Sequence, residues 1–201
     1  MARPSTQAER RADIRTATAR LLRKESVSRI GLSDVAHEMG LSANAIRYYY
    51  SDINGLLADL VAHGVDRFVT RRQEAIAGQD PLDQLATLIR LGLPHGLEDR
   101  EVWLMWQVTI ADVEQASATI LSDIFGRQVA MYQSALETGA GTGQFTLQVP
   151  AISAAKTLVS LEDYYGLRIV VGDPTFDREA ALALIREYAE VAVGAALPAI
   201  S

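Results

Sequence analysis

Apolar residues recur every three or four positions along almost the whole chain. This spacing is typical of amphipathic α-helices that bury one face. Only residues 145–149 (FTLQV) approach the strict alternation expected of a half-buried strand. The pattern therefore predicts an all-α protein of about nine helices, three in an N-terminal head and six in a body.

Capping residues, glycines and prolines divide this pattern into segments. Thr6 or Ser5 is placed to cap a first helix that reaches about residue 24, and Asp52 to cap a long helix that reaches about residue 77. Asp80, followed by proline, begins the next helix. The long helix from Asp52 would join head and body directly. Further helices are predicted over residues 98–114, 117–138, 151–171 and 178–196, with one clear linker at 139–150.

Residues 32–50 (LSDVAHEMGLSANAIRYYY) fit two short helices around a tight turn. This helix-turn-helix arrangement places a second helix in the DNA major groove. Gly40 provides the turn, because glycine adopts a left-handed backbone at little steric cost. Ala36 is small enough for the helices to touch, and Ser42 can cap the second helix. The alternative is a buried helical hairpin with no DNA role. The predicted inward positions are Val35, Met39, Leu41 and Ile46.

The formal net charge of −6 looks unfavourable for a nucleic-acid binder, but its distribution changes the picture. Residues 1–55 hold nine Arg or Lys and six Asp or Glu, a balance of +3. The remaining residues hold ten basic and nineteen acidic groups, a balance of −9. A basic head is typical of a region that contacts DNA phosphates, and an acidic body would discourage other contacts with DNA. The alternative is that these charged helix faces are simply solvated.

Composition narrows the function classes further. The chain has no cysteine, which excludes disulfides and thiolate metal sites and fits a reducing cytoplasm. No apolar run reaches the ~18 residues of a membrane helix, and the N-terminal residues do not resemble a signal peptide. The three histidines are scattered, and neither a phosphate-binding loop nor a GxSxG motif is present. We therefore expect a soluble cytoplasmic protein that is not an enzyme and needs no cofactor, metal or membrane.

The chain resembles the TetR (tetracycline-repressor-like) family of transcriptional regulators. The resemblance is sharpest over residues 30–57 (IGLSDVAHEMGLSANAIRYYYSDINGLL). Residues 161–182 (LEDYYGLRIVVGDPTFDREAAL) look like the C-terminal region of a betaine-repressor-like branch. The resemblance implies a homodimer, DNA-binding heads and an inducer pocket in the body. Two positions depart from the family pattern. Arg47 occupies a position where tyrosine is frequent, and Ile53 occupies a position where family members usually carry a lysine that contacts phosphate.

The second helix of the motif supplies the candidate DNA contacts. Asn44 can pair with an adenine edge through both its donor and its acceptor. Ala43 and Ala45 allow close approach to thymine methyl groups, and Tyr48 can contribute its hydroxyl or ring. Phosphate contacts, which fix register without reading sequence, are expected from Ser33, Arg47 and Tyr49. The alternatives are packing for Tyr48, a core position for Tyr50 and a solvated face for the N-terminal arginines.

Candidate ligand contacts lie in the body. A carboxylate beside aromatic rings suits a cationic ligand, and Glu162, Asp163 or His95 could supply the polar anchor. Ordinary core packing is the alternative for each candidate residue. The residues predicted to line such a pocket are Trp103, Trp106, Phe125, Met131, Tyr132, Glu162 and Tyr164.

Two apolar stripes near the C-terminus can form a four-helix dimer interface. They could instead pack inside one subunit. The stripes are Leu158, Leu161, Tyr165 and Ile169, and Leu182, Ile185, Tyr188 or Ala189, Ala192 and Ala196.

Together these features predict a DNA-binding domain over residues 1–52 and an effector-binding and dimerisation domain over 53–201. The predicted function is a ligand-responsive repressor that binds a palindromic DNA operator as a homodimer and answers to an unknown small-molecule effector. Half-sites would lie one helical turn (~34–36 Å) or a multiple apart. The alternative is a helical partner-binding module that has lost DNA binding, and Ile53 is its best support.

Overall fold

The computed structural model describes residues 6–94 and 116–199. Within these ranges the chain forms eight α-helices and one 3₁₀ turn, with no strand, so the all-α prediction is confirmed there. The helix predicted over 98–114 lies outside the described residues. The helices are α1 (Gln7–Leu22), α2 (Leu32–Glu38), α3 (Ala43–Arg47), α4 (Ile53–Ile76), α5 (Pro81–Gly92), α6 (Ala116–Gly141), α7 (Ala151–Val170) and α8 (Arg178–Val193).

The described residues form two compact units, 6–65 and 66–94 with 116–199. The change from one unit to the other falls between Val65 and Asp66, inside α4. The sequence placed the domain boundary earlier, after residue 52, where α4 begins. Because α4 is one continuous helix, its residues contribute to the cores of both units.

The predicted capping residues begin their helices. Thr6 and Glu9 form a reciprocal capping box, with the Glu9 amide donating to Thr6 Oγ1 at 3.2 Å. The Asp52 side chain accepts from the Gly55 amide at 2.8 Å, and Asp80 from the Leu82 amide at 2.9 Å. These bonds satisfy amides that have no partner inside the helix, so local sequence sets where the helices start.

The first unit packs α1, α2 and α3 around the start of α4. Ile14, Val35, Ile46 and Leu56 are fully buried in its core. Gly40 has φ +66°, the left-handed conformation that the turn requires. The prediction that Leu41 points inward is wrong, since its side chain is 38% exposed. Its amide donates to the Ala36 carbonyl at 2.8 Å, which closes the turn and leaves the side chain at the edge of the core.

The second unit is built around α5, which packs against α6, α7 and α8. The segment predicted as a linker is partly helical, because α6 continues to Gly141. The strand-like residues 145–149 belong to no sheet. Instead, the amides of Thr146 and Gln148 donate to the carbonyls of Val193 and Ala192 at 2.8 and 2.9 Å. This segment is thereby fastened to the end of α8.

The two stripes proposed for a dimer interface mostly pack inside the chain. Leu158 and Ile169 of α7 are buried, as are four residues of the α8 stripe, whereas Ala196 is exposed. The structure therefore supports the second alternative for these stripes, packing within one subunit. α8 also ends three residues earlier than predicted, at Val193, because Gly194 takes a left-handed conformation with φ +65°. The buried α8 residues are Leu182, Ile185, Ala189 and Ala192.

Candidate functional site

Helix α3 presents a polar face to solvent and an apolar face to the core. Its start is capped by Ser42, whose Oγ accepts from the Ala45 amide at 3.3 Å. Ile46 is fully buried and anchors the helix. Asn44 and Arg47 lie on the opposite, exposed side, followed by Tyr48 at 77% exposure. A side chain this exposed does not serve the core, so the packing alternative for Tyr48 loses its support.

The residues predicted to contact DNA are divided between exposed and half-buried positions. Arg47 Nη1 lies 3.5 Å from Asn44 Oδ1, so the two predicted polar contacts are neighbours on one face. The rings of Tyr48 and Tyr49 meet edge to face, with centroids 5.0 Å apart. The structure thus gathers several of the predicted residues on α3, and their contacts with DNA stay predictions. Ser33, Asn44, Arg47 and Tyr48 are exposed, whereas Ala43, Ala45 and Tyr49 are half-buried.

Four polar residues hold the end of α3 in place, and we call them the Asp59 cluster (Arg11, Arg15, Tyr50 and Asp59). Asp59 accepts hydrogen bonds from the Tyr50 hydroxyl and from Arg15 Nη1, the latter at 3.0 Å. Arg11 donates to the Tyr49 carbonyl at 3.0 Å and lies 4.7 Å from the centre of the Tyr50 ring. Two N-terminal arginines are therefore engaged within the protein, and the simple solvated-face interpretation does not apply to them.

The ionisation of this cluster follows from its contacts. Burial acts to raise the pKa of Asp59, but the hydrogen bonds from Tyr50 and Arg15 outweigh it, and the pKa is lowered. Burial and the bond to Asp59 raise the pKa of Tyr50 to about 12. Asp59 is therefore an anion and Tyr50 a neutral donor at neutral pH, which is the arrangement that their hydrogen bond requires.

Replacing Asp59 by alanine is expected to lower the free energy of unfolding by about 1–3 kcal/mol, because Tyr50 and Arg15 lose a charged acceptor. Urea unfolding followed by circular dichroism measures this. The lowered pKa sets the sign of the pH dependence: the contribution of Asp59 is present above its ordinary pKa of 3.8 and is lost as the pH falls through the lower folded value. The difference between the two proteins should therefore shrink in acid.

Asp66→Ala is the matched control for this prediction. Asp66 lies on the same helix and pairs with Arg127 at 2.6 Å, but its side chain is 63% exposed. Exposed ion pairs contribute about 0–1 kcal/mol, so the control should change stability little. Equal losses for the two variants would contradict the assignment of Asp59 as a structural anchor.

A second polar cluster is fully buried in the unit formed by residues 66–94 and 116–199. We call it the Arg72 cluster (Arg72, Gln128, Tyr132 and Glu162). Arg72 Nη2 lies 3.1 and 3.3 Å from the two carboxylate oxygens of Glu162, and its Nη1 donates to Gln128 Oε1 at 3.1 Å. The Tyr132 hydroxyl donates to Glu162 as well. Arg72 and Glu162 are 0% and 1% exposed, so this ion pair has little access to water.

Burial is the largest single influence on the pKa values of Arg72, Tyr132 and Glu162. It raises the pKa of Glu162 from 4.5 to about 7, although Arg72 and the Tyr132 hydroxyl act in the opposite direction. Burial also disfavours the charged form of Arg72, but Glu162 and Tyr132 together outweigh this effect and raise the pKa of Arg72. Gly92 makes room for the arrangement, because a Cβ at this position would overlap the Glu162 carboxylate.

A cleft of about 340 Å³ opens between α4, α5 and α6 in the same unit. Its volume is at the lower end of the range for small-molecule sites. Arg127 lies on its wall but is already paired with Asp66. The other described residues of its lining carry no charge. Its apolar lining includes Val69, Ile76 and Met131, and its polar lining Gln73, Gln84 and Ser134.

No group of three or more metal-ligating side chains comes together in residues 6–94 or 116–199. Over the same ranges, no helix combines the length and the apolar character needed to cross a membrane.

Comparison with solved structures identifies the architecture. A TetR transcription regulator from Haloarcula marismortui is 24% identical, with a TM-score of 0.84 over 92% of this chain and 99% of that chain. A transcriptional regulator from Saccharomonospora viridis, solved with choline, is 21% identical, with a TM-score of 0.81 over 92% and 98%. The chain has the fold of the TetR-family regulators. No protein-family model matches the chain, and no curated protein matches its sequence.

The same TetR fold occurs in FadR from Bacillus subtilis, solved with stearoyl-CoA. It is 17% identical, with a TM-score of 0.73 over 90% of this chain and 97% of that chain. Choline is a small cation and stearoyl-CoA a long acyl thioester. Neighbours that share this fold therefore differ widely in the molecule they bind, and the ligand has to be argued from side chains.

Within this TetR fold, the structure brings together some of the predicted ligand contacts. Tyr132 and Glu162 are both buried and hydrogen-bonded to each other. Met131 is buried and borders the cleft, and Phe125 is half-buried. Tyr164 is 57% exposed and packs on Tyr165 at the surface. Trp103, Trp106 and His95 lie outside the described residues.

Sequence reasoning missed Arg72 and Gln128. A signal for Arg72 was present, because it follows Val65 and Val69 at the inward spacing of α4. A charged residue at an inward position of an amphipathic helix usually has a buried partner of opposite charge. Glu162 follows Leu158 in the same way on α7. The pattern could have indicated two buried charges, but not that they meet.

Proposed function

We propose that the chain is a TetR-type transcriptional regulator that binds a palindromic DNA operator. The observation that carries the proposal is the two-faced α3, with Ile46 buried and Asn44, Arg47 and Tyr48 directed to solvent. A recognition helix needs both an anchor in the core and a free polar face for base edges. The likeness in fold to TetR regulators supports the same conclusion.

The proposed contacts divide into two kinds. Asn44 reads a base edge, with Ala43 and Ala45 beside it against thymine methyl groups. Arg47, Tyr49 and Ser33 hold phosphates and so contribute affinity that falls as salt rises. Because Arg11 and Arg15 are engaged with α3 and Asp59, we assign them to positioning the helix rather than to phosphates.

We further propose that a small-molecule effector controls DNA binding, with repression as the default action in the cytoplasm. The candidate ligand residues Trp103, Trp106, Phe125, Met131, Tyr132, Glu162 and Tyr164 remain part of this proposal. Neighbours of the same fold were solved with choline and with stearoyl-CoA. An effector can act only if it binds one arrangement of the protein better than another.

Homodimerisation is proposed through the exposed sides of α7 and α8 rather than through their buried stripes. Eight large apolar residues are exposed in the described chain, and five of them lie on these two helices or at their ends. Such a concentration is typical of an interaction surface. The five residues are Ile152, Tyr164, Val171, Leu184 and Val191.

Replacing both Leu184 and Val191 by glutamate is expected to convert a dimer to monomers, because like charges would face each other across a two-fold interface. The two residues are 44% and 66% exposed, so the monomer should stay folded. Light scattering coupled to size-exclusion chromatography measures the mass. Val149→Glu, at 39% exposure outside these helices, is the control and should leave the dimer intact.

The decisive experiment for the whole proposal is to incubate the purified protein with fragmented genomic DNA and to sequence the retained fragments. A regulator should enrich a small set of sites that share an inverted repeat. Failure to retain any fragment, in the absence and presence of metabolite mixtures, would favour a helical partner-binding module that has lost DNA binding.

A further inference from the structure

The side chain of Arg72 is surrounded by the groups that bind a free organic cation. Its two terminal nitrogens contact the Glu162 carboxylate, the Gln128 amide oxygen, the Leu88 carbonyl at 2.8 Å and the Tyr132 hydroxyl oxygen at 3.2 Å. The guanidinium carbon also lies 5.1 and 5.3 Å from the ring centres of Phe68 and Tyr132. Carboxylate, carbonyl oxygens and aromatic faces together form a cation site.

We propose that these groups form a cation cage whose resident ligand is Arg72 itself, and that Arg72 determines specificity by excluding free cations from Glu162. The cage is defined by Phe68, Leu88, Gln128, Tyr132 and Glu162. A small cationic ligand would satisfy Glu162 in the same way as the guanidinium does. It can reach Glu162 only by displacing Arg72. The buried guanidinium would then have no partner of opposite charge.

The cage argues against the expectation, drawn from sequence, that Glu162 anchors a cationic effector. The carboxylate is present and has an aromatic ring beside it, but its charge is already neutralised from within the chain. An effector that contacts the Arg72 cluster would therefore be neutral or anionic. This statement about the effector rests on the proposed function, whereas the cage itself does not.

The chemistry of the contacts makes the cage testable with a free guanidinium compound. Every side-chain hydrogen bond that Arg72 makes within the described residues comes from its two terminal nitrogens, and the buried Nε has no partner there. Methylguanidinium carries the same two terminal nitrogens and is small enough to enter the space left by Arg72→Ala. It should restore the contacts that the substitution removes.

The experiment measures the thermal stability of Arg72→Ala during titration with methylguanidinium. At about ten times its Kd, the compound should raise the Tm of this variant by about 3–6 °C. Two variants serve as controls. Arg72→Ala/Glu162→Gln has the same space without the carboxylate charge, and Leu136→Ala has an apolar space in the same unit, because Leu136 is fully buried. Neither should gain stability from methylguanidinium.

Two outcomes would overturn the cage. One is the absence of any rise in Tm for Arg72→Ala, and the other is an equal rise in the Glu162→Gln background. A rise in the Tm of the wild-type chain with choline that Glu162→Gln abolishes would overturn the exclusion of free cations. None of these readouts involves DNA, so failure of the cage and failure of the proposed regulator are distinguishable.

Arg72→Lys and Arg72→Met provide a second measurement if Arg72→Ala does not fold. Lysine keeps a cation in the cage but cannot reach all its acceptors, whereas methionine fills the space without charge. The expected order of Tm is wild type, then lysine, then methionine. A methionine variant as stable as the lysine variant would show that the site does not select a cation, and would overturn the proposal.

Discussion

Replacing Glu162 by leucine is expected to lower the free energy of unfolding by about 3–5 kcal/mol. Leucine is similar in size, so the loss would come from charge: Arg72 would remain buried without its carboxylate. The Tyr132 hydroxyl would also lose its acceptor. Urea unfolding at pH 8 measures the effect, because Glu162, with a pKa raised to about 7, is then ionised in the wild-type protein.

The double variant Arg72→Met/Glu162→Leu separates two contributions to the free energy of unfolding. One is the cost of leaving Arg72 without its partner, and the other is the net contribution of the intact ion pair. Removing both charges leaves an apolar core of similar volume, which is often neutral or stabilising. We therefore expect the double variant to be more stable than Glu162→Leu alone. Losses that simply add would contradict a direct coupling between the two residues. Glu137→Leu, an exposed position on α6, is the surface control and should change stability by about 0.5 kcal/mol or less.

Local rules predicted most of the helices. A cap such as Thr6, Asp52 or Asp80 acts on amides two or three residues away, so its effect can be seen in a short window of sequence. The same holds for Gly40 and Gly194, where the chain needs a left-handed residue. Helix-turn-helix geometry could be predicted for the same reason, since its anchor and turn lie within 19 consecutive residues.

Contacts between distant residues could not be predicted in this way. Arg72 and Glu162 are 90 positions apart, and they meet only in the folded unit, where the side chain of Arg72 on α4 reaches that of Glu162 on α7. The sequence indicates Glu162 as a ligand anchor because aromatic residues lie near it in the chain. It gives no indication that Arg72 is its partner. The stripe containing Leu182 and Ile185 shows a similar limit, because apolar spacing says that a face is buried but not which chain buries it.

The N-terminal arginines show how a basic residue can support DNA binding without touching DNA. For the N-terminal arginines, the sequence left a solvated face open as an alternative. In the structure Arg11 and Arg15 both pair with Asp59, at 3.9 and 3.0 Å, and Arg11 also donates to the Tyr49 carbonyl at the end of α3. A helix of five residues has few hydrogen bonds of its own, so its direction depends on such anchors. Exposed basic residues such as Arg47 then remain available for phosphates.

If α3 reads DNA as proposed, Asn44→Ala and Arg47→Ala should weaken binding in different ways. Loss of Asn44 should cost about 1–3 kcal/mol at the preferred operator and little on unrelated DNA, because a base contact carries specificity. Loss of Arg47 should weaken binding to all sequences and reduce the slope of log K against log salt by about 1, because one phosphate contact is gone. Fluorescence anisotropy with operator and scrambled duplexes across a salt series measures both.

Arg71→Ala is the matched control, because it removes one exposed positive charge from the other compact unit. It should leave both the preference for the operator and the salt slope unchanged. If Asn44→Ala weakens operator and scrambled DNA equally, Asn44 contacts no base and α3 does not read sequence. If Arg47→Ala has no more effect than Arg71→Ala, the phosphate contact lies elsewhere in the head. Because Ile46 and the Asp59 cluster hold α3 without help from Asn44 or Arg47, both variants should keep the fold, so a change in binding reports on the exposed face alone.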